Sequence, residues 1–140
     1  MCTQAADGPF RDNGPGTVLA TTARGISQKG IGVTVIAPRW VAPASASIIH
    51  LAAEDRIVIT MEDGVRVGGI GTRVRQELRA AGVDTPVDEL GLPGRFLDHG
   101  DRSEILAGVG LDAASVADGI EKQLLGVRLP AARPHPEEEV

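Results

Sequence analysis

Two short runs, "IGVTVIA" from Ile31 and "RIVITM" from Arg56, constrain the fold most, because each is almost continuously apolar and rich in β-branched side chains. A strand with one wet face alternates apolar and polar residues, so continuous runs predict strands covered on both faces, as in a parallel sheet. Between them, residues 44–54 place Ile48, Leu51 and Ala52 at helical spacing, with Ser45 or Ser47 near the start as a cap. Strand, helix and strand in that order predict a βαβ unit. A second helix follows: Ile70, Val74, Leu78 and Ala81 form one apolar stripe, Gly82 supplies a left-handed stop, and Arg73 and Glu77 are spaced to pair on the wet side. "PVDEL" from Pro86 reads as another short strand and "GLPG" as the turn after it. Two further helices open at Asp101, with Glu104 three residues on as a variant capping box, and at Asp112, with Val116, Ile120 and Leu124 on one face. Alternating strands and helices imply an α/β fold, expected as a three-layer α/β/α sandwich around a mostly parallel sheet.

The ends differ from this core. Residues 1–16, "MCTQAADGPFRDNGPG", show no apolar period and are expected to be disordered. Residues 126–140 place Pro130, Pro134 and Pro136 before the acidic Glu137, Glu138 and Glu139, and are expected to form a disordered, solvated tail. Residues 17–125 remain as one domain, with 42% hydrophobic residues in the whole chain to build its core. Aromatic content is only 2%, from Phe10, Trp40 and Phe96, so platforms for stacking bases are scarce. A net charge of -5 argues against phosphate-backbone binding, and nucleic acid is not an expected partner. No apolar stretch reaches the roughly 18 residues of a membrane span. Without a signal-peptide pattern, and with Cys2 alone, the expected compartment is the cytoplasm.

The stretch "MEDGVRVGGIG", from Met61 to Gly71, joins the second apolar run to the helix that begins at Ile70. Glycine turns at such junctions present backbone N–H groups to phosphates, and ligands of open parallel sheets gather beyond the carboxyl ends of the strands. Gly68, Gly69 and Gly71 are therefore candidates. The stretch lacks the lysine and hydroxyl of a P-loop and the spacing of a dinucleotide fingerprint, so close backbone packing is the favoured role for its glycines.

Four stretches taken together, "GIGVTVIAPRWV", "LAAEDRIVITMEDGVRVGGIGTRV", "ELGLPGRFLDHGDRSEIL" and "GLDAASVADGI", resemble the C-terminal domain of the 1-deoxy-D-xylulose-5-phosphate synthase family. The resemblance covers residues 30–125 in one order, and its most specific parts are "EDGVRVGGIG" and "GLPGRFLDHG". It implies a transketolase C-terminal-like fold belonging to a transferase that condenses pyruvate with glyceraldehyde 3-phosphate on the way to isoprenoid precursors. It also implies thiamine diphosphate and Mg for the full-length family, held by two larger domains whose motifs are absent here. No cofactor is expected for this chain alone, and the isolated chain is not expected to be catalytic.

The chain departs from the family at two places. The family pattern has an acid two residues before Arg39 and a lysine two residues after Trp40; here Ala37 and Ala42 stand there. The family's first strand is resembled by "VLA" at Val18 to Ala20, but too few residues separate it from the next run for a full crossover, which needs about a dozen. The first crossover helix is thus expected to be shortened or missing, or the first strand to lie outside the sheet, and either leaves an apolar face open to association.

Single residues support the same picture. Arg39 and Trp40 end a strand together and suit either an interface anchor or packing at a sheet end. Glu62 and Asp63 could act as a catalytic carboxylate pair or ligate a metal, but without a neighbouring His or Cys a turn or cap role is favoured, or a contact to another domain. Asp98 beside His99 could orient an imidazole; with no nucleophile near, a structural hydrogen bond or interdomain contact is favoured. His50 and His135 are expected to be solvated. Three functions stay open: a C-terminal-domain piece inactive alone, a module docking in trans onto a thiamine-dependent enzyme, and a small phosphate-binding regulator. The expected partners are domains or subunits of a transketolase-like enzyme, with a homodimer also open.

Overall fold

The computed structural model describes residues 15–126, apart from 39, 41 and 42. The elements are α1 (Pro15–Ser27), α2 (Ala46–Glu54), β1 (Val58–Val65), α3 (Ile70–Ala80), β2 (Val87–Leu92), α4 (Arg102–Gly108) and α5 (Ala113–Leu124). Among the described residues the sheet has two strands, β1 and β2, paired in parallel with Val58 opposite Val87 and Met61 opposite Leu90. The fold is α/β, and β1, α3 and β2 form its βαβ unit.

Period-two alternation gives this small sheet two different faces. Val58, Thr60 and Glu62 of β1, with Val87 and Glu89 of β2, turn towards α2 and α3. Asp63 and Asp88 turn the other way, where Asp63 meets Arg102 of α4 and Asp88 accepts from Gln123 Nε2 of α5 at 2.7 Å. Helices therefore cover both faces.

The core on the first face joins Ala52, Val74, Leu78 and Val83, with Ile49, Val58 and Val87 packed against them. The expected stripe on α3 supplies Val74 and Leu78, and Gly82 stops the helix at φ 76°. Val83 N–H donates to Leu78 O at 2.9 Å and Gly82 N–H to Arg79 O at 3.0 Å, which satisfies two carbonyls at the helix end and folds Val83 back onto Leu78. Ser45 caps α2 through Ile48 N–H, as its position suggests. Glu77 accepts from Ala44 N–H rather than pairing with Arg73, and so ties the approach to α2 onto α3. On the second face α1 packs along α5: Ile26, Leu111 and Val116 are buried, and Thr22 Oγ1 donates to Ala113 O at 3.2 Å.

Three expectations about elements require correction. Residues 18–20, expected as a strand that either precedes a shortened or missing crossover helix or lies outside the sheet, are not a strand but lie inside the 13-residue α1. Thr22 and Ile26, one helical turn apart, are its buried residues, and Pro15 opens it where a missing N–H costs nothing, so burial against α5 selects the helix. Residues 15 and 16 accordingly belong to α1 rather than to the N-terminal segment; that segment otherwise lies outside the described residues, as do Cys2, His135 and all but residue 126 of the tail. Residues 31–37, expected as a strand covered on both faces, belong to no strand. Ile31, Val33 and Val35 are half-buried while Gly32, Thr34 and Ile36 are exposed, so this run has one covered side and no ladder; β-branched residues favour a sheet only where a partner edge is offered. At α4, Asp101 sits at the N-cap but its carboxylate bonds no helix N–H.

Two measurements follow from this packing. Leu78 has 0% of its surface exposed, so Leu78→Ala should cost about 2–5 kcal/mol of unfolding free energy in urea titrations. Asp112 caps α5 by accepting from Ala114 and Ser115 N–H, and hydrogen bonds from the Ser115 hydroxyl and backbone hold its carboxyl below the ordinary 3.8. A lowered folded pKa contributes stability that is complete above 3.8 and lost as pH falls through the lower folded value. Asp112→Ala should therefore cost about 1 kcal/mol at neutral pH, with the deficit shrinking below the ordinary carboxylate value.

Candidate functional site

β1 delivers the candidate residues to one place because it runs on past Met61, through Glu62 and Asp63, to Val65. Their side chains then point to opposite faces. Beyond Val65 the chain turns through Arg66, Val67 and Gly68, the last at φ 74°, and enters α3 at Gly69.

A helix that starts on glycine has no side chain of its own with which to cap its first N–H groups. Glu62 fills that need from the strand. Its Oε2 accepts from Ile70 N–H at 3.0 Å and its Oε1 from Gly71 N–H at 3.2 Å, placing a carboxylate against the positive end of the α3 dipole. The two glycines are the spatial condition for this contact. Gly69 has an ordinary φ of -76°, yet a Cβ there would lie 2.5 Å from Glu62 Cδ and closer still to both carboxylate oxygens. A Cβ on Gly71 would lie 2.9 Å from Glu89 Cγ and closer to Thr60 Oγ1, so this residue lets α3 settle on both strands.

Asp63, on the other face, forms a two-pronged ion pair with Arg102: Nη1 to Oδ1 at 3.2 Å and Nη2 to Oδ2 at 2.8 Å. Glu62 and Asp63 are thus neighbours in sequence with separate partners. Beneath α3, Glu89 accepts from Thr72 Oγ1 at 2.8 Å, and its other oxygen lies 3.0 Å from Arg75 Nε. That second contact is an ion pair outside hydrogen-bonding angles, so the buried Oε1 has charge compensation without accepting a hydrogen bond. An open cleft of ≈ 380 Å³ runs beside these groups, from Arg66 and Gly68 past Arg75 to Glu89.

The remaining candidates stand apart. Trp40 is 78% exposed, and Arg39 lies outside the described residues. Asp98 and His99 are exposed in the loop before α4. His50, exposed on α2, sits 3.5 Å from Glu54 Oε1. Among the described residues no three His, Cys, Asp or Glu side chains are grouped to hold a metal ion, and no helix is long and apolar enough to cross a membrane. Arg102, Thr72, Arg75 and Glu89 escaped notice in the sequence because no local spacing links them. The capping role of Glu62 did leave a signal: a helix opening on glycine must draw its acceptor from elsewhere, and the nearest upstream acids are Glu62 and Asp63.

The residues present do not fit the diphosphate of thiamine diphosphate at this turn. The N–H groups that would receive it are taken by Glu62, and its charge would meet a carboxylate. The shared contact has a thermodynamic signature. Glu62→Ala should cost about 1 kcal/mol by removing the acceptor, and Gly69→Ala a similar amount by displacing it. The double variant should cost no more than either alone; full additivity in a denaturation cycle would sink this account.

Comparison with known proteins places this arrangement. The profile of the transketolase C-terminal domain matches residues 17–116. Three relatives are each named 1-deoxy-D-xylulose-5-phosphate synthase. The protein of Leifsonia xyli subsp. xyli (strain CTCB07) is 58% identical over 117 residues, 84% of this chain and 18% of that protein. That of Clavibacter sepedonicus is 53% identical over 122 residues, 87% of this chain and 19% of its own length. That of Renibacterium salmoninarum is 55% identical over 115 residues, 82% and 18% respectively. The chain spans less than one fifth of these relatives. It belongs to the transketolase C-terminal domain family and, within that family, resembles the C-terminal domain of 1-deoxy-D-xylulose-5-phosphate synthase.

Proposed function

We propose that the chain is a non-catalytic module of a 1-deoxy-D-xylulose-5-phosphate synthase-type enzyme and performs no thiamine chemistry by itself. The condensation of pyruvate with glyceraldehyde 3-phosphate, with thiamine diphosphate and Mg, would depend on regions of the relatives outside the matched part. The observation that carries this reading is the Glu62 carboxylate on Ile70 and Gly71 N–H. The glycine turn at the carboxyl end of a parallel strand is where a phosphate would be sought, and its donors are already used. The same contact weighs against a phosphate-binding regulator. The cytoplasm is the compartment that fits a synthase module.

A second reading, docking in trans onto a separate thiamine-dependent polypeptide, draws support from the exposure of Trp40 at 78% and Phe96 at 102%. Exposed large aromatics suit an interface better than a finished surface.

The first reading is tested by titrating thiamine diphosphate and Mg²⁺ into the purified chain. No heat and no change in melting temperature are expected. A ligand bound to the folded state alone, at a hundredfold its Kd, would add about 2.7 kcal/mol and raise the melting temperature by several degrees. Saturable binding would overturn the proposal.

A further inference from the structure

We draw no further inference here: the strongest candidate, the extended run of residues 31–37 with Ile31, Val33 and Val35 half-buried and no ladder, carries nothing, because nothing in the structure shows which strand would pair with it.

Discussion

The parallel ladder between β1 and β2 is the constraint on which the rest of the molecule depends. It is short, and its two faces are made unlike by alternation alone: Val58, Thr60, Glu62, Val87 and Glu89 on one side, Asp63 and Asp88 on the other. The first side supports α2 and α3 through the chain's main apolar cluster. The second meets α4 and α5 through polar and charged contacts, while α1 and α5 bury Ile26 and Val116 in their own layer. A one-residue slip of β1 would turn its own set over, placing Val58 among polar partners and Asp63 in the apolar cluster. The pairing of Val58 with Val87 therefore determines which helices find a surface to pack on.

The candidate site follows from the same register. Because Glu62 shares a face with Val58 and Thr60, its carboxylate arrives under the start of α3, and Gly69 and Gly71 leave it room. Asp63, one residue on, is delivered to Arg102 instead. Two adjacent acids that could be read as one metal or catalytic pair are separated by the pleat of the strand. Beyond them Val67 and Phe96 stand exposed in the loops that leave the two strands.

Much of this was legible in the sequence. The α2 and α5 caps, the α3 stripe with its Gly82 stop, and the strands at β1 and β2 all arise from short-range chemistry that periodicity reports directly. Residues 18–20 and 31–37 misled because β-branched content describes what suits a sheet, while pairing depends on an edge being offered by distant residues. The site was half legible for a related reason. The glycines and acids were visible as a group, but the partners Arg102 and Glu89 lie 39 residues from Asp63 and 17 from Thr72, and only the fold brings them in.

The Glu62 contact also bears on how such a turn would answer to solutes. An anion in solution competes for Ile70 and Gly71 N–H with a carboxylate tethered eight residues away along the same chain. A tether of that length holds its carboxylate at an effective concentration on the order of millimolar or above. Free phosphate would have to exceed that local supply before displacing it, so α3 keeps its own counter-charge while the ionic composition around it varies.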